Sequence, residues 1–337
     1  MTTQITIIGL GQMGGSIGLA LAPHKQTLVR TGHDKRMDVA RAAQTAGAVD
    51  SIHFNLPAAA SNADAVILAL PLNEVRDTLK FIRDDLKEGA VVMDLSPAKR
   101  QVEAWARETL PPGRFYVGLA PAVNPARLLD LGGGLDAARA DLLADATVLV
   151  CPSAGAPEGA VRFATDLVRL LGAASLISDS AEADGLLAAT TFLPRWLAVS
   201  LVEATMTQPG WRDARNLAHR SYAMPIAASF DRDDADGFNE ATLANRENVT
   251  RVLDNAIESL RALRDRIESG DRAALDERAR AAQSRANEWL AERRLESYRP
   301  AQTKKTDDAM DDSSLGGRLR RMFVGRWRLP GADREGK

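Results

Sequence analysis

Cysteine is nearly absent: Cys151 is the single one in 337 residues. That excludes an internal disulfide and any metal site assembled from several cysteines. Cys151 lies in the apolar run ATVLVCP and reads as a buried strand residue rather than a nucleophile. An excess of either charge is missing too, since 43 basic and 45 acidic residues leave a formal net charge of −2. No global field then draws the chain to nucleic acid, and none is expected as a partner. No apolar run approaches the ~20 residues that cross a bilayer. The first four residues, MTTQ, do not begin a basic and apolar leader, so a cytoplasmic protein is expected. Histidine is sparse as well: His24, His33, His53 and His219 are the only four. The first three read as loop or strand-end residues, and His219 as a surface imidazole near a helix.

What the chain has is an ordinary globular composition, 45% hydrophobic and 26% charged, with length for roughly two domains. Its most informative stretch is QITIIGLGQMGGSIGLALA near the N-terminus. Ile5, Ile7 and Ile8 form a β-branched strand; Gly9, Gly11 and Gly14 follow; Ile17, Leu19, Ala20 and Leu21 supply a helix face. In this setting Gly9 permits the tight turn, Gly11 lets backbone approach a pyrophosphate, and Gly14 lets helix and strand pack closely. The helix start, with Leu10, Gln12 and Met13 between the glycines, offers unpaired N–H groups to phosphate. Asp34 ends a second strand, where a carboxylate accepts hydrogen bonds from an adenosine ribose and so favours NAD. Lys35 and Arg36 follow directly and are positioned to meet the 2′-phosphate of NADP.

Strand and helix alternate onward. Residues 65–72, 90–95, 114–119, 147–153 and 175–178 read as strands, and 37–47, 74–87, 98–109 and 157–171 as helices. This predicts an α/β fold, a Rossmann-type doubly wound parallel sheet, over residues 1–180. Ligands in such sheets lie beyond the carboxyl ends of the strands, which draws attention to Leu70, Pro71, Asp94 to Lys99 and Gly118 to Pro125. From about residue 181 the pattern turns all-helical, with helices expected at 182–206, 210–230, 235–268 and 271–296. That domain, 181–298, sets Leu243, Val249, Val252, Leu253, Ile257, Leu260, Leu263 and Ile267 at helical spacing. Such a face either packs on the first domain or makes a homodimer. Residues 299–337 read as a disordered basic tail, in which 315–329 mix arginines with Leu319, Met322, Phe323 and Trp327. A weak contact with an anionic membrane surface or an acidic partner is one reading of that tail, and an inert segment the other.

Taken in order, GLGQMGGSIGLAL, Asp34, ADAVILALPL, MDLSPAK, YVGLAPAVNP, GWRDARNLA and LANRENV resemble the prephenate dehydrogenase family over about residues 4–296. The resemblance implies an NAD- or NADP-dependent oxidation of the ring carbinol of prephenate or arogenate. Loss of carbon dioxide then aromatises the ring toward 4-hydroxyphenylpyruvate or tyrosine. The chain departs from the family where the chemistry lies. A Gly-x-His-Pro-Met-Ala-Gly segment normally supplies a histidine base, but the matching position is Ala120. The Asp-x-x-Ser-x-Lys strand end becomes Asp94-Leu95-Ser96-Pro97-Ala98-Lys99, with serine one position early. Ser-His-Leu-Pro-His is here Thr191-Phe192-Leu193-Pro194-Arg195, and the arginine of Gly-Phe-Arg-Asp-x-Thr-Arg is displaced to Arg215, about 100° around a helix. A lost general base ordinarily costs about 10²–10⁴ in rate. The resemblance leaves Ser96, Lys99, Arg195, Arg212 and Arg215 as catalytic or substrate-binding candidates, with a small carboxylate as substrate. Two alternatives stay open: a dehydrogenase of another small carboxylate, and a catalytically inactive dinucleotide-binding regulatory protein.

Overall fold

The structure is a computed structural model that describes residues 2–130, 132–229 and 235–294. The chain opens with β1 (Thr3–Ile8), α1 (Gln12–Leu21), β2 (Leu28–His33), α2 (Met37–Thr45), β3 (Ser51–Ile52) and α3 (Leu56–Ala60). It continues through β4 (Ala65–Leu68), α4 (Leu72–Ile82), β5 (Val91–Asp94), α5 (Lys99–Thr109) and β6 (Phe115–Pro121), then β7 (Thr147–Pro152), α6 (Glu158–Leu170) and β8 (Ala174–Ile177). The strands form one eight-stranded sheet in the order β3-β2-β1-β4-β5-β6-β7-β8. The order turns back at β1, whose neighbours are β2 and β4. A crevice at such a point is where open α/β sheets bind ligands.

Alternation along the strands divides the core. Ile5, Ile7, Ile67 and Met93 pack on one face with Ile17 and Leu21 of α1 and Phe163 of α6. Ile8, Val66, Leu68, Val92 and Tyr116 pack on the other with Val75 and Leu79 of α4 and Val102 of α5. Both faces are covered, as a Rossmann-type sheet requires. One strand departs from the parallel expectation: β7 runs antiparallel to β6, pairing Ala120 with Leu149. A parallel neighbour needs a crossover, usually a helix. Residues 122–146 hold only two short 3₁₀ turns among the described residues, and they lie against α1, where Ser16 Oγ accepts from Arg139 N at 2.9 Å.

Beyond the sheet the chain is helical: α7 (Ser180–Leu187), α8 (Leu193–Met206), α9 (Trp211–Ala214), α10 (Arg220–Ile226), α11 (Ala235–Ala244), α12 (Arg246–Glu268) and α13 (Arg272–Arg294). A π-helical turn, Ala188–Phe192, joins α7 to α8 without a break. The resulting run, Ser180–Met206, has an 18-residue window of mean hydropathy 1.4 and is long and apolar enough to cross a membrane by length and composition. This corrects the expectation that no such run exists, which counted uninterrupted apolar residues and so stopped at Pro194 and Arg195. The single helices expected at 210–230 and 235–268 are each divided. His219 caps a new helix at α10 with Pro225 inside it, and Asn245 separates α11 from α12. The expected apolar face is shared between core and surface: Val249 and Val252 are buried on the sheet domain, whereas Leu243, Ile257, Leu260 and Ile267 are exposed. The tail 299–337, with its basic stretch 315–329, lies outside the described residues.

Arg30 is the buried tie on the β2 side. Only 3% exposed, it donates through Nε and Nη2 to Asp50 at 3.1 and 2.6 Å and through Nη1 to the carbonyls of Gly18, Gly47 and Ala48 at 2.8, 2.9 and 3.3 Å. Burial pushes the Asp50 carboxyl up, but the Arg30 bonds outweigh it and hold the group below its ordinary value of 3.8. Arg30→Met, which leaves the carbonyls of Gly18, Gly47 and Ala48 without their donor, is expected to cost about 1–3 kcal/mol in urea unfolding. The sign with pH follows from the lowered value: the Asp50 contribution is complete above the unfolded-state value and lost as pH falls through the folded one. Acid titration of stability should therefore be flatter in Arg30→Met than in the parent protein.

Candidate active site

The turn from β1 to α1 is built on two close approaches. Gly9 has φ +88°, and a Cβ there would lie 2.3 Å from the Ala69 carbonyl oxygen, with Leu70 Cδ2 beside it at 3.0 Å. Gly14 crosses the same turn so closely that its Cβ would lie 1.9 Å from the Gly9 carbonyl oxygen. Gly11, the N-cap of α1, is different: a Cβ there meets no atom within 4 Å. Open space above a helix N-terminus is what a pyrophosphate needs. At the end of β2, Asp34 is pinned by two backbone donors, Leu10 N to Oδ2 at 2.8 Å and Arg36 N to Oδ1 at 2.9 Å. The glycine turn and Asp34 are thus one hydrogen-bonded unit.

Of the other candidates at this end, Gln12 Nε2 reaches toward the Ala137 carbonyl at 3.5 Å and Met13 packs on the core. Lys35 is paired with Glu74 and Arg36 with Asp38. Leu70 and Pro71 are half-buried, and Pro71 is the N-cap of α4. These residues fit a dinucleotide: the glycine turn and α1 would hold its pyrophosphate and Asp34 its adenosine ribose.

Beyond β5 the structure gives the Asp94–Lys99 segment a role the sequence reading does not assign. Lys99 is 0% exposed, and its Nζ donates to the Asp94 carbonyl and to Oδ1 and Oδ2 at 2.9, 3.2 and 3.1 Å. It is therefore spent inside the protein and does not serve as a cation for a substrate carboxylate. Ser96 donates Oγ to Asp94 Oδ2 at 2.5 Å and its own N–H to the same oxygen at 2.8 Å. Tyr116 of β6 completes the set, its hydroxyl donating to Asp94 Oδ1. Burial, then the Asp94 charge, pushes the Tyr116 phenol well above its ordinary range, so it remains a donor. Asp184 of α7 caps α5, accepting from Lys99 N at 2.7 Å and Arg100 N at 3.3 Å. Burial raises the Asp184 carboxyl despite those bonds. Asn245 Nδ2 in turn donates to the Asp184 carbonyl at 2.8 Å, tying α12 to α7.

Asp94 and Asn245 fall in segments that the sequence singles out without giving either side chain a role, and Tyr116 and Asp184 are not among the candidates. A lone tyrosine in the strand RFYVGL and a lone aspartate in the apolar stretch EADGLL were the available signals.

Ala120 is 8% exposed on β6, two residues past the Gly118 that pairs with Asp94 of β5. No imidazole stands there. Cys151 is buried, and burial pushes its thiol up to about 12, which leaves it unreactive. His33 Nδ1 lies 2.9 Å from the His53 carbonyl, and His219 accepts from Ser221 N. Arg195 on α8 lies over the Phe238 ring at 3.9 Å. Arg212 and Arg215 are exposed on and just after α9. The structure brings Ser96 and Lys99 together on Asp94 and keeps the three arginines on the helical region. A concavity of about 520 Å³ lined by Thr205, Trp211, His219 and Tyr222 lies among α8, α9 and α10, with no strand-end residue in its wall.

Residues 17–177 match the nucleotide-binding domain of prephenate dehydrogenases. The cyclohexadienyl dehydrogenase of Zymomonas mobilis is 25% identical over 275 residues, covering 80% of this chain and 89% of that protein. The prephenate dehydrogenase of Bacillus subtilis is 23% identical over 284 residues, covering 80% of this chain and 72% of that one. Among solved structures, prephenate dehydrogenase from A. aeolicus in complex with hydroxyphenyl propionate and NAD⁺ superposes with a TM-score of 0.70 at 20% identity, over 86% of this chain and 98% of its own.

Two substitutions separate the cradle from the buried pair. Gly11→Val should leave the fold intact and abolish dinucleotide binding in a fluorescence titration, because the new side chain occupies the open space. Lys99→Met should instead lower stability by about 3–5 kcal/mol in chemical denaturation, since it leaves the Asp94 carboxylate buried without a cation.

Proposed function

We propose that this chain, whose residues 17–177 match the nucleotide-binding domain of prephenate dehydrogenases, is a member of the prephenate and arogenate dehydrogenase family and an NAD-preferring dehydrogenase of a prephenate-type small carboxylate in a route to tyrosine. The observation that carries this reading is the single unit of glycine turn, open Gly11 and pinned Asp34. A bound nicotinamide supplies the two-electron oxidant. Asp34 receives the ribose hydroxyls, and the α1 N-terminus receives the pyrophosphate. The Ser96 hydroxyl, committed as a donor to Asp94, keeps lone pairs to accept and orient a substrate hydroxyl. Arg195, Arg212 and Arg215, on the helical region, would hold substrate carboxylates, bidentately where geometry allows.

Ala120 favours a second reading, in which the same cradle serves oxidation of another small carboxylate. A methyl group accepts no proton, so at this strand end the carbinol proton would pass to water, or to Ser96 Oγ as that hydroxyl gives its own proton to Asp94. The two readings separate by experiment. Absorbance at 340 nm should rise with NAD and either prephenate or arogenate. Ala120→His should raise that rate if the site keeps its family geometry and leave it unchanged if the pocket serves a different acid. Arg195→Ala, Arg212→Ala and Arg215→Ala, made singly, should reveal the carboxylate grip as a loss of about 1.5–3 kcal/mol in substrate affinity with little effect on the cofactor. No turnover with either acid would reject the prephenate-type assignment.

We further propose a cytoplasmic homodimer formed through the helical region. Leu197 and Met206 of α8 and Ile257, Leu260 and Ile267 of α12 are exposed in the single chain. The Ser180–Met206 run then serves as a core and interface helix, which suits the proline and arginine inside it. Leu260→Arg should give a folded monomer by analytical ultracentrifugation where the parent chain sediments as a dimer. A dimer that survives substitutions at both Leu260 and Leu197 would rule out this surface.

A further inference from the structure

Two cations and three carboxylates surround the place assigned to the adenosine ribose. Lys35 and Arg36 follow Asp34 directly and carry the charge that a 2′-phosphate would seek. Neither is left to do so. The Lys35 ammonium is paired with the Glu74 carboxylate, which projects from the first turn of α4, on the far side of β1 from β2. Arg36 Nη2 lies 3.2 Å from Asp38 Oδ2, in the first turn of α2. Both acids occupy helix N-termini, where the dipole favours a negative side chain and holds it in place. Glu74 is the better-fixed member of its pair, its side chain 29% exposed against 71% for Lys35. The Glu74 hydrogen bond also raises Lys35 above its ordinary value, consistent with a committed pair. Asp34 itself is immobilised by Leu10 N and Arg36 N, so it cannot swing aside for an incoming anion.

We infer that Glu74, assisted by Asp38, is a specificity-determining residue that bars the 2′-phosphate of NADP by neutralising Lys35 and Arg36. A phosphate monoester carries about −1.5 to −2 charge at neutral pH. It would have to take Lys35 from Glu74 and then lie beside both Glu74 and Asp34, with like charges on two sides. The ribose hydroxyls of NAD make no such demand. Asp34 alone selects by accepting hydrogen bonds; Glu74 selects by withholding Lys35, and Asp38 by withholding Arg36. This inference rests on the dinucleotide reading of the Gly9–Asp34 unit and adds to it a residue 40 positions further along the chain.

The test is a fluorescence titration of the full-length protein with NADH and with NADPH, reading the ratio of the two dissociation constants. The parent protein should prefer NADH. Glu74→Gln should shift the ratio toward NADPH by about fivefold, the upper range for an exposed ion pair. Adding Asp38→Asn should shift it further. Lys35→Ala placed in the Glu74→Gln protein should cancel the first shift, because the cation that Glu74 held is then gone. The shift should also shrink at high salt. A ratio that stays within twofold in both Glu74→Gln and Asp38→Asn overturns the inference while leaving the dinucleotide site in place. A parent protein that prefers NADPH overturns it as well, together with the NAD preference. Binding of neither nucleotide by the parent protein would instead sink the functional reading itself. If Glu74→Gln disturbs α4, Asp38→Asn on the exposed surface of α2 supplies the same comparison independently.

Discussion

A carboxylate with no exposure to water must be satisfied entirely by protein, and Asp94 imposes that requirement on everything around β5. Its oxygens take Ser96 N and Oγ, Lys99 Nζ and Tyr116 Oη, so two strands, one loop and one helix are fixed by a single side chain. Lys99 can reach it only by crossing beneath β6, which explains Gly118: a Cβ there would lie 2.9 Å from Lys99 Cδ and 3.0 Å from Tyr116 Oη. The strand end where a Rossmann-type sheet presents its ligand is therefore rigid because it is ionic inside. Ser96 inherits its orientation from that arrangement rather than from packing against a substrate.

The same segment connects the sheet to the helices. Asp184 caps α5 with its carboxylate and, through its backbone carbonyl, receives Asn245. Phe192 stacks on Phe238 at 5.2 Å, and Trp196 packs tilted against that ring at 5.6 Å, bonding Thr242 Oγ1 through its indole N–H. Polar ties set the position of α7 and α12 along α5, and the aromatic cluster fills the space between them. Beyond this contact the helical region buries little: α13 meets the sheet domain at its far end, where Arg293 donates to the Val123 carbonyl at 2.9 Å. Leu197, Ile257, Leu260 and Ile267 stay exposed on that region, and the proposed homodimer would cover them.

The legible parts of this molecule are those whose constraints are local. Gly9 and Gly14 were readable because a positive φ and a backbone contact leave no residue but glycine, and that need shows in the sequence at fixed spacing. The strands were readable because burial on both faces demands continuous apolar runs, as in AVIL of β4. The unread parts depend on distant partners. Lys99 resembles any helix-start lysine until Tyr116 arrives from the next strand and Asp184 from 85 residues away. The direction of β7 follows the route of residues 122–146 over α1, and nothing within β7 records it. Asn245 is a favoured helix-start residue by propensity, but its amide's partner, the Asp184 carbonyl, is 61 positions away in the chain and nothing local records it.

The ionic groups of this protein thus divide by depth, and depth decides what each pair does. The buried pair, Lys99 with Asp94, costs desolvation and returns geometry, so removing either partner is felt as lost structure; in Arg30 with Asp50 only the arginine is buried. Exposed pairs around Asp34 contribute little to stability, because water screens them and long side chains must be ordered to form them. Weak pairs are nonetheless well suited to discrimination, since an incoming anion competes with them at comparable energy. Lys35 with Glu74 is such a pair, strong enough to withhold a cation from a phosphate and too weak to govern the fold. Selectivity at the adenosine end can therefore change by single surface substitutions while the buried Asp94 network, on which the reacting end depends, stays as it is.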